Sequence, residues 1–343
     1  MAAGRHVTAF LTVLGVLGGV LAPPASAQAP KKLVKAKMAQ SADSYISAPT
    51  YIAQAKKFFE AEGVDLDLIT VAGGSAVLNA LVGGSVDVGY SGFEHLAKAR
   101  KNNVQLTGVT VTVLGLPFVL VITNEAAKKA GVQPGDPLEK RMRAMKGLRL
   151  GYSSPGSQSE TVLKLLLKKE GLDPARDATL APLRTELNMV SAFRTNQVDG
   201  LNWNPPIPEK LVHEKLGMIL LSGPRGEMPV YPGNVIFDHL YLHERYMKER
   251  PEVVQGLVNA YTRAAKFARE NQREVVEIIK RRFAKEDPGV VELAMETMQP
   301  MIAIDLDYKK ADAEATIAGV VEGVDIMAAV TNRFVEEARK RIQ

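Results

Sequence analysis

Residues 72–92 read AGGSAVLNALVGGSVDVGYSG, and residues 187–203, LNMVSAFRTNQVDGLNW, repeat their pattern. Placing Asp87 on Asp199 also brings Ala80 onto Ala192, Leu81 onto Phe193 and Val86 onto Val198. Each copy predicts a helix with apolar residues on one face, a polar turn, a Val-Asp step and a short strand that ends on small or polar residues. Gly63-Val64-Asp65 and Gly171-Leu172-Asp173, each read as the stop of a helix, are a second shared landmark. Two similar halves follow, with the function expected between them. Asp87 and Asp199 read as scaffold, each capping the turn before its strand.

Working outward, residues 33–39 read as a strand, 40–49 as a polar loop, 50–62 as a helix stopped by Gly63, and 64–71 as a second strand. Gly73-Gly74-Ser75 opens one helix and Ser91-Gly92-Phe93-Glu94 the next. Residues 104–113 and 117–123 are strand-like, the latter leaving for the second half. After a polar connection at 124–146, residues 148–152 read as a strand, 153–157 as a loop and 158–170 as a helix. Residues 235–241 read as the returning strand. Pro251 opens a long helix with Val254, Leu257, Tyr261, Ala264 and Ala268 on one face, and the remainder reads helical. Strand alternating with helix implies an α/β fold, a parallel sheet with helices on its faces.

The first 27 residues have the form of a secretory signal: Arg5, an apolar run over 7–21, and cleavage after Ala27 in Ala25-Ser26-Ala27. That run is shorter than the roughly 20 residues a bilayer span needs. The 343 residues include no cysteine, which excludes disulfides, thiolate metal sites and a Cys nucleophile. A hydrophobic content of 46% can fill a core without them. Lys and Arg outnumber Asp and Glu by 43 to 38, but they are scattered and not interleaved with aromatics, so nucleic acid is not an expected partner. The run Gly151–Gly156 lacks the third glycine and acidic partner of a dinucleotide fingerprint. No serine has a GxSxG setting, and His239 and His243 lack HExxH spacing. No cofactor, metal ligand or catalytic residue is read.

In order, the chain shows a Ser/Tyr loop before APTYIAQAKKFFEAEGVDLDL, a GGS before a helix, GGSVDVGYSG, a Lys-Gly step in KGLRLGYSS, and NQVDGLNWNPP. This order resembles the periplasmic substrate-binding proteins of ABC importers, in the branch for sulfonates, taurine, nitrate, bicarbonate and thiamine-precursor pyrimidines. The resemblance covers most of the chain after residue 27. It implies the type II periplasmic-binding-protein fold: two α/β lobes, each a mostly parallel sheet, joined by two crossing strands near 115–123 and 233–238. Lobe 1 would comprise residues 28–115 and 234–343, and lobe 2 residues 116–233. The resemblance implies a periplasmic monomer that is not an enzyme, with a small-molecule ligand and an inner-membrane ABC permease and its ATPase as partners. The lobes of such a protein close over the ligand by a hinge motion. A sensor domain using the same clamp is the alternative. A pyrimidine-synthase-like enzyme is a weaker one, since that synthase type carries a Cys-rich motif and this chain has no cysteine.

Carried over position by position, the implied ligand-binding residues are Ser44, Tyr45 and Ser47, then Gly74 and Ser75, then Ser91 and Gly92. The second lobe would add Ser153, Ser154, Gly156 and Ser157, with Trp203, the sole tryptophan, and Asn204. Helix N-termini at the carboxyl ends of parallel strands favour an anion, and glycine and serine supply N–H and hydroxyl donors. A sulfonate or carboxylate is therefore expected, and Tyr45, Tyr90, Tyr152, Trp203 and Tyr231 point to an organic one. Asp238 and His239, near the predicted hinge, are secondary candidates. Arg184-Thr185-Glu186 stands where the family has a Gly-containing loop.

Overall fold

The structure is a computed structural model that describes residues 33–231 and 234–342, with Met1, Ala2 and Gly4. Apart from those three residues the expected leader lies outside the described residues, as do 28–32, Pro232, Gly233 and Gln343 of the expected lobes.

The first half runs β1 (Val34–Gln40), α1 (Ala48–Ala55), α2 (Phe58–Ala61), β2 (Val64–Thr70), α3 (Gly74–Val82), β3 (Val88–Gly92), α4 (Phe93–Lys101) and β4 (Leu106–Leu114). The second runs β5 (Val119–Thr123), α5 (Asn124–Ala130), α6 (Leu138–Arg143), β6 (Arg149–Tyr152), α7 (Gln158–Lys169), β7 (Thr179–Pro182), α8 (Glu186–Arg194), β8 (Gly200–Trp203), α9 (Ile207–His213) and β9 (Gly217–Ser222). The chain ends with β10 (Ile236–His243), α10 (Glu244–Glu249), α11 (Pro251–Glu270), α12 (Gln272–Arg282), α13 (Pro288–Met298), α14 (Lys310–Ile317) and α15 (Arg333–Arg341).

The strands form two five-stranded sheets of the same topology, β2-β1-β3-β10-β4 and β7-β6-β8-β5-β9. In each, the first three strands are parallel, and a strand arriving from the other half is inserted antiparallel to both its neighbours. The crossing strands are thus integral members of the sheets. Each lobe is a mixed sheet covered by helices, and the molecule is a two-lobed α/β protein.

Two local expectations are refined. The helix expected over 50–62 is two helices, because Lys57 takes a left-handed conformation (φ 55°) between them. The polar connection at 124–146 holds α5, whose first turn is capped by the Thr123 hydroxyl, and α6. In the long α11 the expected apolar face holds: Val254, Leu257, Tyr261, Ala264 and Ala268 are all buried, packed toward α1, α2 and β4. Each such Val or Leu contributes about 1.5–3 kcal/mol of burial. The C-terminal helices pack mainly on the first half, but α13 also meets α9 of the second. A smaller core of Val121, Met189, Phe193, Leu201 and Leu211 supports the second sheet.

Candidate functional site

The repeated segments build two equivalent jaws. The Asp87 N–H donates to the Lys37 carbonyl (2.9 Å), while its Oδ2 accepts from the Lys37 N–H (2.8 Å). Asp199 makes the same pair with Arg149, 2.8 Å in both directions. The Arg149 guanidinium adds Nε and Nη2 bonds of 3.0 and 2.7 Å, and holds the Asp199 carboxyl below the usual carboxylate range. Both aspartates are scaffold, but each clamps the backbone of the neighbouring parallel strand rather than capping its own turn.

Beyond these clamps the chain leaves β3 and β8 toward a cavity of about 50 Å³ lined from both lobes. The first jaw contributes Gly74, Gly92, Glu94, His95 and, from β10, Asp238. The opposing jaw contributes Ser153, Ser157, Gln158, Trp203 and Asn204. Phe118 and Phe237, in edge-to-face contact at 5.4 Å, stand beside it where the chain crosses between lobes. Polar contacts close the seam. The Asn204 amide donates to Ser44 Oγ (2.9 Å), Lys98 Nζ to the Gly156 carbonyl (3.2 Å), and Lys210 Nζ pairs with Glu286 (2.9 Å). A larger groove of about 430 Å³ lies between α11, α12 and α13. It draws on one lobe only, with walls that include Ala268, Val276 and Met295, and none of its lining side chains is a buried polar group without a partner.

Six of the thirteen implied residues therefore line the cavity: Gly74, Gly92, Ser153, Ser157, Trp203 and Asn204. Ser44 sits at the seam. The others do not line it. Tyr45 packs its ring on Phe283, 4.8 Å away, and burial pushes its hydroxyl well above the usual tyrosine range. Ser47 donates to the Ala42 carbonyl and Ser75 is exposed. Ser91 turns from the cavity because strand side chains alternate, and its hydroxyl bonds Tyr241 Oη at 2.8 Å. Ser154 and Gly156 lie on the lead-in to α7, where Gly156 supplies a left-handed φ of 78°. Tyr90 is likewise internal, stacked on Tyr261.

The expected anion cradle at residues 153–157 is already filled by the chain itself. The Gly156 N–H donates to Glu160 Oε2 (2.6 Å), the Ser153 N–H to Ser159 Oγ (3.1 Å) and the Ser157 N–H to the Ser154 carbonyl (3.0 Å). The Ser157 hydroxyl caps α7 at the Glu160 N–H. The positive end of this helix is answered by its own carboxylate, and that of α4 carries Glu94 in its first turn. Gly74 and Gly92 are required for close approach: a Cβ on Gly74 would stand 2.2 Å from the His95 ring, and one on Gly92 2.5 Å from Glu94 Oε2.

Glu94, His95, Gln158 and Ser159 are thus site residues that no motif announced, and Asp238 moves from a secondary candidate into the wall. His239 does not line the cavity; its ring bonds the Tyr308 hydroxyl at 2.8 Å, and burial drives it down to about 3. Neither Asp238 nor Glu94 has a protein hydrogen-bond partner for either carboxylate oxygen. Burial, with the Glu94 carboxylate beside it, pushes Asp238 well above the usual carboxylate range. Burial lowers His95 despite the Glu94 carboxylate 3.4 Å from its Nδ1. No Lys or Arg lines the cavity among the described residues. The wall carries two buried carboxyl side chains where anion donors were expected.

The chain belongs to the NMT1-like family, whose model matches residues 41–280. It is 23% identical over 268 residues to YtlA of Bacillus subtilis, named as a candidate binding protein, covering 77% of this chain and 75% of that one. Among solved structures it is similar to a Bordetella bronchiseptica protein with TM-score 0.77, 24% identity and coverage of 90% and 97%. It is also similar to the alkanesulfonate-binding protein of Xanthomonas axonopodis pv. citri bound to MOPS, with TM-score 0.68, 18% identity and coverage of 88% and 99%. The fold is that of the two-lobed periplasmic binding proteins.

Proposed function

We propose that this protein is the periplasmic solute-binding component of an ABC importer, capturing a small molecule between its lobes and delivering it to a membrane permease. The observation that carries this reading is the seam: side chains of both lobes converge on one buried polar cavity, and several of their polar atoms have no partner within the fold. Lobe 1 would be residues 28–115 and 234–343, and lobe 2 residues 116–233. In the closed arrangement the cavity has room for only a few water-sized groups, so the solute must enter with the lobes apart. Ser44–Asn204, Lys98–Gly156 and Lys210–Glu286 would then be latches made on closing. The closed state would be what the permease reads, favoured by a solute that binds it better than the open one. A thermal-melt panel of sulfonates, carboxylates, nitrate, pyrimidines, amines and guanidines tests the reading. A true solute at about 100 times its Kd adds roughly 2.7 kcal/mol of stability, and a panel with no shift at all contradicts it.

A further inference from the structure

Among the buried side-chain atoms at the cavity that lack a hydrogen-bond partner, acceptors outnumber donors. Glu94 and Asp238 bring four carboxylate oxygens, none with a protein hydrogen-bond partner though Glu94 Oε1 lies 3.4 Å from His95 Nδ1, on residues 2% and 1% exposed. His95 adds a fifth acceptor. Its Nδ1 lies 3.1 Å from the Gly92 carbonyl, which can only accept, so the proton resides on Nδ1 and the unpartnered Nε2 presents a lone pair. Against these stands the indole N–H of Trp203, which has no partner within hydrogen-bond geometry although the Glu186 carboxylate lies beside it. Buried carboxylates without partners are strongly unfavourable in a fold that gains nothing else from them. Here they line the cavity between the lobes.

Resting on the solute-binding reading above, we propose that the ligand is a small organic cation bearing N–H groups, an amine, amidine or guanidine. Glu94 and Asp238 accept its hydrogen bonds, His95 Nε2 is a third acceptor, and the rings of Phe118, Phe237 and Trp203 flank its apolar part. Charged hydrogen bonds of this kind are the strong ones, and aromatic faces favour a cation. No Lys or Arg among the described residues lines the cavity, although the Lys98 charge is felt at His95. Tyr90 from β3, Tyr261 from α11 and Tyr241 from its own strand sense its carboxylate, and Tyr231 senses that of Glu94. The Lys98 ammonium is engaged by the Gly156 carbonyl. Because Asp238 is pushed toward its protonated form, a cation must displace that proton.

Calorimetric titration of the purified protein with methylguanidine, acetamidine and 1,4-diaminobutane, in buffers of differing ionisation enthalpy, tests the proposal. Tetramethylammonium, which has no N–H, and methanesulfonate are the controls. We expect at least one N–H cation to bind with release of up to one proton, and tetramethylammonium to bind at least tenfold more weakly. Glu94→Gln and Asp238→Asn should each weaken that cation at least tenfold while leaving the melting temperature of the free protein unchanged or raised. Preferential binding of methanesulfonate, or cation binding indifferent to both variants, overturns the cation proposal and leaves the solute-binding reading standing. If no probe of either charge binds and no solute in the wider panel shifts the melt, both fall.

Discussion

The two jaws share a frame and differ in chemistry. After the Asp87 clamp, β3 delivers Gly92, Glu94 and His95, so the first jaw faces the cavity with unpaired acceptors. After the Asp199 clamp, β8 delivers Trp203 and Asn204, and the serines beside them spend their hydrogen bonds on one another. Each jaw then buries a glutamate in the first turn of the following helix, Glu94 in α4 and Glu209 in α9. Glu94 faces the cavity, whereas Glu209 is not among the cavity-lining residues. The two halves share the parts that hold strands in place and differ in the residues just past them. The scaffold is symmetric; the cavity's buried carboxyl groups without hydrogen-bond partners lie in the first jaw.

Equivalent core positions test that symmetry most severely. Leu81 and Phe193 lie on the buried faces of the jaw helices α3 and α8. Phe193→Ala should cost about 3–5 kcal/mol and Leu81→Ala about 2–5 kcal/mol in denaturant unfolding. A loss below about 1 kcal/mol at either position would break the equivalence. The two glutamates sharpen the difference next. Burial pushes Glu209 up to about 7 from 4.5, so it favours the folded state fully below about pH 4.5. That contribution is lost as pH rises through about 7, up to about 3 kcal/mol in all. Glu209→Gln should therefore flatten the fall in melting temperature between pH 5 and 8. An unchanged pH profile would show that this carboxyl is not held in a dry site. The clamps come last. Asp87→Ala and Asp199→Ala should each cost about 1–3 kcal/mol through the freed backbone bond. Loss of the half-exposed Arg149 pair adds no more than about 1 kcal/mol to the second. A markedly unequal pair of values would mean that the clamps are not equivalent.

The frame was legible because it is written in backbone requirements. Glycines at helix stops, the Val-Asp step and alternating apolar runs leave few other arrangements, and the crossing strands fell close to where the pattern placed them. Their antiparallel insertion was not legible, since pairing partners lie far apart in sequence, as with Ser91 and His239 or Ile122 and Gly200. In the site, residues chosen for helix ends and small size reached the cavity where the backbone itself turns into it, as at Gly74, Gly92 and Ser157. Ser91 did not, because one residue of strand alternation decides which way a side chain faces. Glu94 and His95 looked like an ordinary polar first turn. The signal that could have found them was available: adjacent titratable residues, Glu94-His95 and Asp238-His239, each flanked by apolar residues, Phe93 and Leu96, Phe237 and Leu240. A buried ionisable group is paired within the fold, neutralised by a shifted pKa, or met by a ligand.

The central claim is that the two jaws close on a solute, and the distance between them reports it directly. With no native cysteine, spin labels at the exposed positions Ala72 and Leu187 can be placed one on each lobe without interference. The account predicts a long, broad distance distribution for the free protein. On adding a solute that raises the melting temperature it should collapse to one shorter, narrow distance, and Asn204→Ala should weaken that collapse. A distribution that stays the same with and without a bound solute would contradict it.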